Sequence, residues 1–193
     1  MRFTYPEGST PFSQDDIHNL IPKHITTQSQ LDEWEQFNII DAEKWAFSRA
    51  RTNLLSIEFT QLLHKKMFNK TWKWAGMFRS YQTNIGVEAY KISIDLKMLC
   101  DDVIYQIQNK IFSDDEIAVR FHHRLVFIHP FPNGNGRHAR LMTDLLLTKV
   151  NKERFTWGRG NLIIQSEVRK RYINALKKAD NFDYTDLINF VRS

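Results

Sequence analysis

Apolar residues recur three and four positions apart along most of this 193-residue chain, and that spacing predicts a mainly α-helical fold. After Thr26 and Thr27, either of whose hydroxyls can cap a first turn, Leu31, Trp34 and Phe37 or Asn38 stand at helical intervals. A second helix is expected from about Asp41. A third is expected in TNLLSIEFTQLLHKKMF, where Leu55, Phe59, Leu62 and Leu63 share one side. LKMLCDDVIYQI also reads as helical. In SDDEIAVRFHHRLVFIHPF, Ser113 and Glu116 have the capping-box spacing, and Ile117, Phe121, Leu125 and Ile128 form an apolar stripe. Pro130 disfavours helical geometry in the residue before it, so this helix is expected to stop just short of His129. Helical spacing resumes at Leu141, Leu145 and Leu146 of ARLMTDLLLTKV, and again in SEVRKRYINALKKAD and TDLINFV.

Two stretches break the period. Residues 1–26 mix Pro, Gly, Ser and Thr and read as an irregular arm. RSYQTNIGVEAYKISI has β-favouring residues on both sides of Asn84, Ile85, Gly86 and Val87, which predicts a short hairpin turning near Gly86, with an irregular connector as the alternative.

The length suits one globular domain with an N-terminal extension. No apolar run approaches the roughly 20 residues of a membrane helix, and MRFTYPEGSTPF lacks the apolar core of a secretory signal, so a cytoplasmic protein without a membrane partner is expected. The single cysteine, Cys100, cannot form an internal disulfide and reads as a small buried hydrophobe. A formal charge of +5 permits an acidic partner such as a nucleotide or nucleic acid. The basic residues are scattered over helix faces, however, and no nucleic-acid recognition motif accompanies them.

One segment concentrates unusual chemistry: HPFPNGNGRHAR, His129 to Arg140. Gly134 and Gly136 remove side chains where backbone N–H groups could approach an anion, and the helix that follows contributes the positive end of its dipole. Arg137 and Arg140 lie one turn apart on that helix and can grip phosphate oxygens in bidentate fashion. His129, across the turn, is suited to act as general base toward a hydroxyl. The plainer alternative is a tight turn with solvated arginines and a capping histidine, but all these features together favour a site. The GxxxxGK[ST] order of a Walker loop is absent. His122 and His123 lack the cysteine or carboxylate pattern of a zinc set, and His138 is expected on a helix surface.

HPFPNGNGRHAR resembles the Fic-family signature HxFx(D/E)GNGRxxR at His129, Phe131, Gly134, Asn135, Gly136, Arg137 and Arg140. MFNKTWKWAGMFR resembles the segment before that family's flap, and YINALKKADNFDYTDLINF its closing helices. ITTQSQLDEWEQFNI together with HPFPNGNGRHARL is most similar to the bacterial subgroup called mobile mystery protein B. The resemblance implies a Fic-type helical bundle with a small β-hairpin flap, its core spanning residues 54–193 behind an N-terminal arm and helices over 1–53. It also implies a protein nucleotidyltransferase that moves AMP from ATP onto a Ser, Thr or Tyr hydroxyl of a target protein. In that scheme His129 is the base, Asn135 and the glycine turn hold the phosphates, Arg137 takes the β-phosphate region, and Arg140 takes the γ-phosphate. Phe131 anchors the loop, and the flap at Asn84 to Val87 docks the target by strand addition. The subgroup further implies a genetically linked small DNA-binding protein.

Two departures from the pattern matter. Asn133 stands where the family carries the acidic residue that helps hold Mg2+. It brings no negative charge to a hard cation, and its turn role is an equal alternative. Many relatives are also restrained by a helix with (S/T)xxxE(G/N), whose glutamate occupies the second motif arginine. Here Glu33 follows Ser29 but precedes Trp34, and Glu35 follows Leu31, so Glu33 and Glu35 are both inhibitory candidates toward Arg140. The functional expectation is therefore an autoinhibited adenylyltransferase, with a catalytically weak Fic-scaffold binding or regulatory protein as the alternative.

Overall fold

Thr27 opens the first helix with a capping box: its hydroxyl accepts from the Gln30 N–H at 3.3 Å, and Gln30 Oε1 accepts from the Thr27 N–H at 3.2 Å. The helix, α1, then runs unbroken over Gln28–Phe47, where the spacing had predicted two. Leu31, Glu35, Asn38, Ala42 and Ala46 form its buried side, and this stripe passes Asp41 without a change of phase. Asn38 rather than Phe37 faces inward; its amide donates to the Trp34 carbonyl at 2.8 Å and the Thr71 hydroxyl at 3.1 Å.

The computed structural model describes residues 18–48, 53–160, 162–163 and 166–193. The arm expected over 1–26 lies outside the described residues as far as residue 17. Its described remainder pairs with residues 71–73 through an antiparallel bridge between Leu20 and Trp72, with the Ile21 N–H donating to the Thr71 carbonyl at 2.9 Å and the Lys73 N–H to that of Asn19 at 3.0 Å. Helices α2 (Ile57–Phe68), α3 (Ile92–Asn109), α4 (Asp114–Ile128), α5 (Asn135–Lys149), α6 (Glu167–Ala179) and α7 (Thr185–Val191) follow. Ser56 caps α2 and Ser113 caps α4. Only half of the expected box forms at α4, because the Glu116 carboxylate accepts from Arg120 at 2.8 Å instead. On α2, Leu62 is exposed, and the inward side is Phe59, Leu63, His64 and Met67; Leu55 is buried just ahead of the helix.

Helices α4 and α5 pack along one another at the centre of the molecule. On one side Phe121, Leu125, Ile128, Met142 and Leu145 join the core built with α1, α2 and α3. On the other, Ala118, Val119 and Leu147 join a second cluster with α6 and α7. The turn carrying the His129 motif connects these two central helices, so both of its ends are anchored by buried apolar surface. Cys100 is buried on α3, and burial pushes its thiol up to about 11, as befits a packed hydrophobe.

The expected hairpin is not formed. Residues 80–88 contain no strand among the described residues, and side chains take the carbonyls that a strand partner would have used. Gln82 Nε2 donates to the Thr83 and Gly86 carbonyls at 3.3 and 3.2 Å, and Thr83 Oγ1 donates to the Ile85 carbonyl at 2.6 Å. The segment is the irregular connector that the sequence left as the alternative.

Candidate functional site

Helix α4 ends at Ile128, and His129 takes the left-handed conformation, φ 53° and ψ 60°, at its C-cap. Its N–H still donates to Leu125 at 3.3 Å, so the imidazole leaves the helix end at a fixed angle. Only 6% of the residue is exposed. Burial, aided by the nearby Arg79 charge, holds the imidazole down at about 4, against a hydrogen bond to the Val126 carbonyl that pulls the other way. The ring is therefore neutral at physiological pH. With Nδ1–H directed at the Val126 carbonyl 3.4 Å away, Nε2 is the nitrogen able to accept a proton.

The turn after His129 is fixed by its own side chains. Asn135 closes it: the Phe131 N–H donates to Asn135 Oδ1 at 2.9 Å, and Asn135 Nδ2 donates back to the Phe131 carbonyl at 2.8 Å. Phe131 is fully buried, its ring stacked on His64 at 3.7 Å between centroids. His64 accepts the Gly76 N–H at Nδ1 (2.9 Å) and donates from Nε2 to the Asn133 carbonyl (3.1 Å), which defines a neutral tautomer that burial keeps well below its ordinary pKa. Gly134 sits at the N-cap of α5 with φ 78°, and a Cβ there would lie 2.6 Å from the Phe68 ring, so glycine is required both for conformation and for space. Asn133 Oδ1 accepts the Gly134 N–H at 2.7 Å, a turn-forming contact.

The two arginines leave α5 toward different neighbours. Arg137 lies over the Phe68 ring, and its Nη1 donates to Glu35 at 2.6 Å. Arg140, half-buried, lies beside Gly136 and Tyr172, with its guanidinium 5.9 Å from the tyrosine ring centre. Tyr172 Oη is also 2.8 Å from His122 Nε2, so α6 braces the second arginine through a buried polar pair.

Glu35 is 2% exposed and bridges two groups, accepting from Trp72 Nε1 at 2.6 Å as well as from Arg137. Of the two glutamates singled out, Glu33 faces solvent and Glu35 reaches the motif, but it reaches Arg137 rather than the expected Arg140. The helical period explains the choice, because Glu35 lies in the stripe of Leu31 and Asn38 whereas Glu33 is on the opposite side. His138 is also a correction. It is fully buried rather than on a surface, donating from Nε2 to the Thr60 carbonyl at 3.0 Å.

A divalent cation finds little here to bind. Among the described residues no three His, Cys, Asp or Glu side chains gather as a metal group, and Asn133 offers a neutral oxygen already accepting from the turn. Asn133 brings no charge to a Mg2+ at this turn, so such a cation would rest mainly on water and nucleotide phosphate oxygens. Of the expected flap residues, Gly86 lies against His129: a Cβ on it would be 2.7 Å from His129 Cβ. Sequence reasoning missed Arg79, His64, Trp72 and Tyr172, all of which hold the site through partners remote in the chain.

Residues 54–147 match the Fic/DOC family. The chain is 30% identical to the protein adenylyltransferase Fic of Aedes aegypti over 119 residues, which is 60% of this chain and 22% of that protein; it thus spans under a quarter of that relative's length. Its fold matches the N-terminal FIC domain of Bep8 from Bartonella sp. 1-1C (TM-score 0.69, 16% identity, 88% of each chain). It also matches BepC of Bartonella tribocorum with bound AMPPNP (TM-score 0.68, 18% identity, 93% of this chain and 97% of that one). Among the described residues no helix is long and apolar enough to cross a membrane.

Proposed function

We propose that the protein, whose residues 54–147 match the Fic/DOC family, transfers a nucleoside monophosphate, AMP from ATP, to a Ser, Thr or Tyr hydroxyl of another protein. The observation that carries this reading is the pairing of a neutral, buried His129 with the glycine turn and N-terminus of α5, which begins six residues later. His129 Nε2 takes the proton from the target hydroxyl as its oxygen bonds to the α-phosphorus. The bond from that phosphorus to the α,β-bridging oxygen breaks, and pyrophosphate leaves. Gly136 and the other first N–H groups of α5 receive phosphate oxygens, while Gly134 supplies the turn that lets them approach. Asn135 acts by holding the turn's shape, while Arg137 and Arg140 balance the charge of the outer phosphates. No step is assigned to Mg2+. The nucleotides bound by solved relatives, AMPPNP in BepC and ADP in a Bartonella quintana Fic domain, agree with this assignment.

The Glu35–Arg137 pair is read as the restraint: while it is closed, one of the two guanidinium groups is occupied by protein. The alternative, a binding protein on a Fic scaffold with weak chemistry, draws on Asn133 and its lack of charge. Incubation with cell lysate and ATP labelled at either the α- or the γ-phosphate separates them. Nucleotidyl transfer leaves the α-label on protein and releases the γ-label. Label from neither position, with ATP bound, would favour the scaffold reading, and γ-label on protein would indicate phosphoryl transfer.

A further inference from the structure

Arg79 is 3% exposed, has no acidic partner among its described contacts, and spends its guanidinium on backbone carbonyls from two separate segments. Nε donates to the His129 carbonyl at 2.7 Å, and Nη2 reaches the Ile128 carbonyl at 3.3 Å. From the same fork, Nη1 donates to the Tyr81 carbonyl at 3.0 Å and Nη2 to that of Val87. Its backbone N–H donates to Pro130 at 3.0 Å. One planar group thus pins both ends of the 81–87 segment and, simultaneously, the residues on either side of the His129 peptide. Burying a guanidinium is costly, and carbonyl acceptors alone repay it only where several converge. Gly86 completes the arrangement, since a Cβ there would lie 2.6 Å from Arg79 Nη2 and 2.7 Å from His129 Cβ.

We propose that Arg79 is a positioning residue that couples the 81–87 segment to His129, so that the segment's placement sets the orientation of the imidazole. The proposal rests on reading His129 as the base. Lysine carries the charge but not the fork: it is one donor group in place of three nitrogens held in a plane, and cannot span all four carbonyls. Arg79→Lys is therefore expected to release the segment while keeping most of the core packing.

The test is nitrogen-detected NMR of the full chain without nucleotide, following the imidazole signals of His129 across pH and the amide signals of Gly86 and Val87. Arg79→Lys should move both amides and raise the His129 midpoint by roughly one pH unit or more as water reaches the ring. The buried His64 and His138 signals should stay in place, reporting an intact fold. Gly86→Ala, which leaves Arg79 in place but has no room for its Cβ, should produce the same rise and decides the matter if Arg79→Lys does not fold. An unchanged His129 titration in the folded variants overturns the coupling. In α-labelled ATP transfer, Arg79→Lys should lower kcat by tenfold or more with little change in the KM for ATP; a changed KM with an unchanged kcat also overturns it. Because the NMR reading needs no turnover, it stands or falls separately from the role of His129 as base.

Discussion

His129 illustrates what a single residue's surroundings do to its chemistry. An ordinary imidazole, with a pKa near 6.5, is about nine-tenths protonated at pH 5.5 and useless as a base there. Burial holds His129 at about 4, so its base form persists. Transfer measured as kcat/KM should accordingly be nearly equal at pH 5.5 and 7.5, in brief assays on folded protein, and a tenfold fall between them would refute the depressed pKa. Asn133→Asp tests the other anomalous residue. The carboxylate would keep the acceptor for the Gly134 N–H and add charge at the N-terminus of α5, gaining about 0.5 kcal/mol of stability. It would also create a ligand for Mg2+. Labelling should rise and become more metal-dependent; if neither rate nor metal dependence moves, Asn133 serves only the turn. The motif residues could be read in the sequence because their partners are local: Asn135 closes on Phe131, and Pro130 marks the helix end. Arg79 could not, because its partner lies 50 positions away; Glu35 could be singled out, but not its partner, since Arg137 stands 102 positions away and no local spacing chooses it over Arg140.

At the scale of elements, α1 is the part that regulation would use. It lays Glu35 on Arg137 and Trp72 through a buried side that also carries Leu31, Ala42 and Ala46. Glu35→Gln keeps an acceptor for the Trp72 N–H and removes the charge that holds Arg137. The change should cost about 1–3 kcal/mol of stability and, by freeing a charge-assisted donor for phosphate, tighten ATP binding roughly tenfold by calorimetry. Unchanged affinity would make the pair purely structural. Helix existence was readable from periodicity, but continuity was not: Asp41 looked like a start, while the buried stripe ran straight past it. The hairpin failed for a different reason. β-favouring residues flank Gly86, yet Gln82, Thr83 and Arg79 offer the carbonyls closer donors than another strand would.

Across the whole molecule, several histidines are buried. His64, His122, His129 and His138 are buried with depressed pKa values, about 3 for His122 and His138 and about 4 for His129. The unfolded chain protonates these groups near pH 6.5 and the folded chain only well below it. Their contribution to stability is therefore complete above pH 6.5 and is lost progressively as pH falls below it, at up to about 1.4 kcal/mol per group per pH unit. Asp144, raised to about 6 by burial, works in the opposite direction between its ordinary range and that value, but it is one group against four. The urea midpoint should drop steeply between pH 7 and 5, and a flat profile over that range would contradict the buried neutral tautomers. Composition could suggest neither the burial nor its consequence, since seven histidines in a chain of +5 charge read equally well as surface residues.

The proposed function has His129 drive nucleotidyl transfer from a site restrained by Glu35. Its most direct test compares Glu35→Gln with Glu35→Gln/His129→Ala in lysate labelling from α-labelled ATP, with circular dichroism confirming that both are folded. Stronger labelling than wild type is expected for the single variant and none for the double. Equal labelling by both would contradict the role of His129, and no gain in the single variant would contradict the restraint.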